Sequence, residues 1–207
     1  FMHVSDIHAF VEYDEPLLEY FPRPSGDIEE TIGGFIADIV DNDSTIQTGV
    51  GRIPSSIFPC LRDKKNLGVH TETFTDGIMD LVERGVINCR KKTLHTGKIV
   101  ASFCIGSRAL YDYVHDNPLF EFHPSHYVNN PAVIARNDRM ISINAALTVD
   151  LSGQVSSDSL GFRFYSGIGG QVDFVRGAAM SNRGRSIITL PSVTDDGEKS
   201  RIVSYLS

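Results

Sequence analysis

Three times in its first half the chain carries a short β-type run into a glycine turn and then into apolar residues at helical spacing. Ser44–Thr48 breaks at Gly49-Val50-Gly51-Arg52-Ile53-Pro54 and leads to an apolar segment over Ser55–Leu61. Leu67–His70 passes through Thr75-Asp76-Gly77 into a helix ending near Arg84, with Ile78, Met79, Leu81 and Val82 on its apolar face. Ile99–Ile105 runs through Gly106-Ser107 into a helix bearing Ala109, Leu110, Tyr113 and Val114. Parallel neighbours need a crossover, and a helical crossover covers one face of the sheet. The predicted fold class is therefore α/β, a mainly parallel sheet flanked by helices.

Residues 1–28, with Asp14-Glu15-Pro16 and Phe21-Pro22-Arg23-Pro24-Ser25-Gly26, carry turn and extended-chain signals and read as a linker. From Glu29 to Val40, Ile32, Phe35, Ile36, Ile39 and Val40 recur at helical spacing behind two acidic residues at the dipole-favoured end. A single domain over 29–207 is expected, within the size one core supports. Its second half adds further strands at Met140–Asn144, Leu147–Asp150 and Ser186–Leu190. The closing stretch Ile202–Ser207 reads as the middle of a strand, which predicts truncation at the C-terminus.

Composition removes several classes of function. A net charge of -7 without any Lys/Arg block argues against a nucleic-acid partner. Three cysteines, Cys60, Cys89 and Cys104, are odd in number and lack a CxxC pair, so neither a disulfide framework nor a zinc site is expected, and the setting is cytoplasmic. No apolar run reaches membrane-spanning length, and the N-terminus has no signal-peptide pattern. A small anion remains compatible, because backbone N–H groups at glycine turns and helix starts hold phosphates whatever the overall charge.

The strongest local signal is Ser166-Gly167-Ile168-Gly169-Gly170-Gln171-Val172-Asp173-Phe174. Glycines there let backbone N–H groups approach a ligand oxygen at the positive end of a following helix, as an oxyanion hole or a phosphate cradle; a tight turn into a helix is the plainer alternative. The GxGxxG spacing of dinucleotide sites is absent. Gly49 and Gly51 form a second turn, and turns at the C-terminal ends of strands converge on one crevice. His115, His123 and His126 lie near one another in sequence without a recurrent metal spacing, and solvated loop histidines are expected, with no metal. No Gly-x-Ser-x-Gly elbow occurs. Glu72 stands where α/β sheets place reactive groups, although by position alone a surface glutamate is the commoner case.

At these motifs the sequence resembles the acetyl-CoA hydrolase/transferase family, which includes 4-hydroxybutyrate, butyrate and succinate coenzyme A transferases. The resemblance rests on Gly49–Pro54, Asp63–Glu72, Gly106-Ser107, Asn137–Met140, Val149–Val155 and Ser166–Phe174, in order over roughly residues 45 to 203. It implies Glu72 as the catalytic nucleophile and Gly169 as the oxyanion donor. It implies that Gly49, Gly51, Asn144, Gly167, Gly170, Gln171 and Asp173 contact coenzyme A or its acyl carboxylate. The implied reaction moves coenzyme A, a substrate here, between an acyl-CoA and a short-chain carboxylic acid by ping-pong exchange through a glutamyl-CoA thioester. The alternatives are an acyl-CoA hydrolase using water as acceptor and a non-catalytic acyl-CoA-binding module. Family members run to about twice this length, so the implied partners include a preceding domain of the same polypeptide; a homodimer is compatible.

Overall fold

A computed structural model describes residues 3–206. Phe1 and Met2 of the expected linker and Ser207 of the expected terminal strand lie outside the described residues. From residue 3 to residue 26 the chain is irregular apart from one 3-10 turn at Val4–Asp6, but it is tied to the body. Tyr20 N–H donates to the Gly106 carbonyl at 3.0 Å, the Tyr111 hydroxyl to the Leu18 carbonyl at 2.7 Å, and Arg108 N–H to the Glu19 carboxylate at 2.8 Å.

Helix α1 (Asp27–Ile39) begins slightly before the expected Glu29, because Glu29 reaches back 2.9 Å to the Gly26 N–H and closes the first turn. Strand β1 (Thr45–Thr48), helix α2 (Arg52–Cys60), strands β2 (Gly68–Val69) and β3 (Thr73–Phe74) and helix α3 (Asp76–Glu83) form the first two units. Helix α2 starts at Arg52 rather than Ser55. Pro54 falls in its first turn, where a missing N–H costs no hydrogen bond.

The expected single strand Ile99–Ile105 is instead two, β4 (Ile99–Ala101) and β5 (Phe103–Cys104), followed by α4 (Arg108–Val114). The break has a cause: the N–H groups of Ser102 and Phe103 both donate to the Glu72 carbonyl, at 2.9 and 3.1 Å. Across that bend β5 pairs with β3, while β4 pairs with β6 (Phe120–Phe122). Two short helices, α5 (Ser125–Val128) and α6 (Pro131–Ile134), then lead into β7 (Met140–Ala145).

The remaining elements are β8 (Thr148–Asp150), β9 (Val155–Ser156), β10 (Ser159–Leu160), β11 (Arg163–Phe164), α7 (Gln171–Met180), β12 (Arg185–Thr189) and β13 (Ile202–Val203). The main sheet has the order β12-β7-β1-β2 and is parallel throughout, as the repeated strand–turn–helix pattern predicts. Of the extra strands expected in the second half, Met140–Asn144 and Ser186–Leu190 join this sheet as β7 and β12, whereas Leu147–Asp150 is β8 of a separate three-stranded sheet, β13-β8-β9, beside an antiparallel β10–β11 hairpin. Between β8 and β9 the Asp150 carboxylate accepts from the Ser152 hydroxyl at 2.7 Å, the Gln154 N–H at 2.9 Å and the Leu206 N–H at 3.2 Å. Those donors, Ser152 foremost, hold its carboxyl well below the usual carboxylate range.

Ile46, Val69, Ile141 and Ile143 of the main sheet are buried against Ile36, Ile57, Phe58, Ile78 and Leu81 of α1, α2 and α3. A second cluster, Val100, Val128, Ile134, Met140, Phe174 and Ala178, packs α7 against β4, β7, α5 and α6. Each such side chain contributes about 1.5–3 kcal/mol on leaving water. The two clusters together immobilise the strand ends on which the site is built. Among the described residues, no helix is long and apolar enough to cross a membrane.

Candidate active site

Glu72 occupies the break between β2 and β3, where its own carbonyl takes the two amides that divide β4 from β5. His70 and Thr71 before it are fully buried, and Thr73 and Phe74 after it are buried, so the backbone on both sides is held by the core. The His70 ring donates through Nε2 to the Val128 carbonyl at 2.8 Å, and burial pushes its pKa down to about 4. It is a neutral structural histidine. The Glu72 side chain, by contrast, is only partly buried and turns out of the core.

Two groups meet its carboxylate. The amide of Asn129, the residue ending α5, donates from Nδ2 to Glu72 Oε2 at 3.0 Å. Gly170, which caps α7, approaches so closely that a Cβ built there would lie 2.5 Å from Glu72 Oε2 and 2.6 Å from Asn129 Nδ2. The positive end of α7 is thereby set against a carboxylate, the arrangement a helix N-terminus favours. The helix expected behind the glycine cluster is present, and Asp173 stands in its first turn.

Glu72 opens into a cavity of about 570 Å³, within the range of small-molecule sites. Gly49, Asn144, Gly167, Gly169, Gly170 and Gln171 line it with Glu72, so both glycine turns reach one crevice. Gly51 and Asp173 do not line it. Gly51 borders a smaller neighbouring cavity with Tyr20 and Asp76. Gly167 and Gly169 are exposed, whereas Gly170 is buried and is the cluster residue that touches Glu72.

Asn144 is buried and forms a reciprocal amide pair with Gln47: Gln47 Nε2 donates to Asn144 Oδ1 at 3.1 Å, and Asn144 Nδ2 returns to Gln47 Oε1 at 3.2 Å. Neither Gln47 nor Asn129 stands out by reading the chain. Gln47 had one signal, a polar side chain inside a β-type run. Asn129 had none, since Asn129-Asn130-Pro131 reads as a turn. The histidine grouping is also redrawn: His115 and His126 stay exposed, while His123 meets His95 and Glu121.

Known proteins resemble this chain over its whole length. Residues 106–207 match the acetyl-CoA hydrolase/transferase C-terminal domain. The chain is similar to the 4-hydroxybutyrate coenzyme A transferase of Clostridium kluyveri, at 50% identity over 100% of this chain and 48% of that protein. It is similar to the succinyl-CoA:cyclohexane-1-carboxylate CoA transferase of Geobacter metallireducens, at 46% identity over 100% of this chain and 47% of that one. The crystal structure of a 4-hydroxybutyrate CoA-transferase from Porphyromonas gingivalis superposes with a TM-score of 0.88 at 44% identity, over 99% of this chain and 49% of that one. The chain thus spans about half the length of the curated relatives it matches. Identity at this level over the whole chain places it in the acetyl-CoA hydrolase/transferase family.

Proposed function

We propose that this chain supplies the catalytic carboxylate of a coenzyme A transferase, with Glu72 as the covalent nucleophile. The observation that carries the reading is the Glu72 carboxylate held by Asn129 at the mouth of a glycine-lined cavity, against the start of α7. The relatives named above are transferases, which favours an acid over water as acceptor.

In the proposed first step a Glu72 carboxylate oxygen attacks the thioester carbonyl. The tetrahedral oxyanion collapses to a mixed anhydride and expels coenzyme A thiolate. The thiolate then attacks the glutamyl carbonyl, giving a glutamyl-CoA thioester and releasing the first acid as its carboxylate. An acceptor carboxylate runs both steps backwards. A nucleophile anchored on a strand break between core residues pays little entropy to reach its target.

The oxyanion needs a fixed N–H donor, and losing one such donor typically costs about 2.7–4 kcal/mol of barrier. The family resemblance implies Gly169 as that donor; closeness to Glu72 favours the adjoining Gly170. Asn129 Nδ2 orients the attacking oxygen and leaves the second oxygen free. The remaining walls of the acyl pocket are proposed to come from a preceding domain, consistent with relatives about twice as long.

The test is chemical trapping. Protein expressed from the complete open reading frame is mixed with acyl-CoA, quenched and mapped by peptide mass spectrometry. A coenzyme A adduct on Glu72, absent from Glu72→Ala together with turnover, is the expected result. Turnover that persists within a few-fold in Glu72→Ala would remove the nucleophile assignment. Steady acid release that needs no acceptor acid would recast the enzyme as a hydrolase.

A further inference from the structure

A polar cluster that the transfer chemistry does not use gathers near Tyr127 of α5. Its members come from separate segments: His95 from the loop between Ile87 and β4, Glu121 from the middle of β6, and His123 from the turn into α5. One ligand atom from each lies within 4.8 Å of the others. His95 Nδ1 is 2.6 Å and His123 Nε2 3.3 Å from the same oxygen, Glu121 Oε2. All three side chains are partly exposed, so an ion reaches them from solvent.

We propose that His95 Nδ1, Glu121 Oε2 and His123 Nε2 bind a divalent transition-metal ion, leaving a coordination position to water. Two imidazoles and one carboxylate suit zinc, cobalt or nickel rather than magnesium or calcium. Metal–ligand bonds of about 2.0–2.1 Å around a tetrahedral ion set neighbouring ligand atoms about 3.3 Å apart. The His123–Glu121 separation already has that value, and the His95–Glu121 contact opens by less than about 1 Å once the ion replaces its hydrogen bond. Binding requires His95 Nδ1 and His123 Nε2 as lone-pair donors, so a proton held between an imidazole and Glu121 leaves to solvent.

A further contact supports the assignment. The far nitrogen of His95, Nε2, lies 2.7 Å from the Tyr127 hydroxyl. That is the outer hydrogen bond by which metal-bound imidazoles are usually oriented. The nearby Lys92 ammonium is directed elsewhere: it donates to the Val69 and Lys98 carbonyls, each at 2.8 Å, and leaves Glu121 to the imidazoles. The absence of a metal expected from sequence rested on the spacing of His115, His123 and His126. Two of the three ligands proposed here lie outside that group. Tyr127 belongs to α5, whose C-cap is Asn129, so a bound ion ties the His95 loop and β6 to the helix next to the Glu72 partner.

The test uses the full-length protein stripped of metal with a chelator, titrated with zinc alone by calorimetry and with cobalt by visible absorption. The expected result is one saturable equivalent of zinc, and intense cobalt bands of a four-coordinate nitrogen and oxygen site. His95→Ala, His123→Ala and Glu121→Gln each weaken zinc at least tenfold. Tyr127→Phe weakens it about 10–100-fold, as loss of an outer partner does, while His115→Ala and His126→Ala leave it unchanged. If the alanine variants unfold, the isosteric Glu121→Gln carries the same decision. Absence of saturable binding in the stripped wild type overturns the site and leaves the cluster an ion-paired network. So does binding that survives Glu121→Gln.

Discussion

Gly51 and Gly170 each cap the start of a helix, Gly170 at the Glu72 cavity and Gly51 at the smaller cavity next to it, yet glycine is required at the two positions for different reasons. At Gly51 the backbone lies at φ 123° and ψ -174°, a region essentially reserved for glycine, while a Cβ there would meet nothing within 4 Å. At Gly170 the backbone is ordinary, φ -79° and ψ 5°, and the constraint is space, with Glu72 and Asn129 where a Cβ would go. One glycine serves the turn of the chain. The other keeps clear the oxygen of a carboxylate. Equal-looking motifs in a sequence can therefore require glycine for backbone conformation in one place and for space in another.

The largest expected effect follows from crowding the second turn. Gly170→Ala suits the backbone, and the atoms it strikes are the ends of two side chains, so Glu72 and Asn129 shift rather than the fold failing. Under the proposed chemistry kcat/KM falls by about 10²–10³, comparable with losing an oxyanion donor. The unfolding free energy changes by no more than the about 1–3 kcal/mol of a tight overpacking. Steady-state kinetics beside urea unfolding separates the two. Activity within threefold of wild type would mean that this contact does not govern the reaction.

Gly51→Ala should reverse the balance. Forcing alanine into that conformation costs about 1–3 kcal/mol of stability, visible as a lower urea midpoint. Because Gly51 does not line the Glu72 cavity, kcat and the KM for acyl-CoA of the folded enzyme should stay near wild type. A raised KM at unchanged stability would instead support the coenzyme contact that the family resemblance implies for Gly51.

The parallel sheet and most of α1 to α4 were legible because apolar periodicity and glycine punctuation are local properties. What stayed hidden depends on partners distant in sequence. The run Ile99–Ile105 has the pattern of one strand, and only the Glu72 carbonyl, bridging Ser102 and Phe103, divides it. Asn129 lies in what reads as a plain turn and gains its role from a residue far upstream. Gln47 and Asn144 are mutually satisfied buried amides, and satisfaction of that kind cannot be judged from either strand alone. Glu72 itself was singled out through motif resemblance rather than through physics, since a partly buried carboxylate at a strand end has no signature of its own.

The smallest effect is expected at Gly169, and it sharpens the comparison most. This glycine is exposed, has no left-handed φ, and offers open space for a Cβ, so neither reason found at Gly51 or Gly170 applies to it. Gly169→Ala should change stability by about 0.5 kcal/mol or less. Alanine also keeps the backbone N–H, so even a donor role at Gly169 would survive, and kcat/KM should stay within about threefold if that N–H is all the site uses. A tenfold loss in kinetics, with the urea midpoint unmoved, would show that substrate packs on the Gly169 Cα. The crowded point of the cluster would then belong one residue earlier, in a contact that exists only when acyl-CoA is bound.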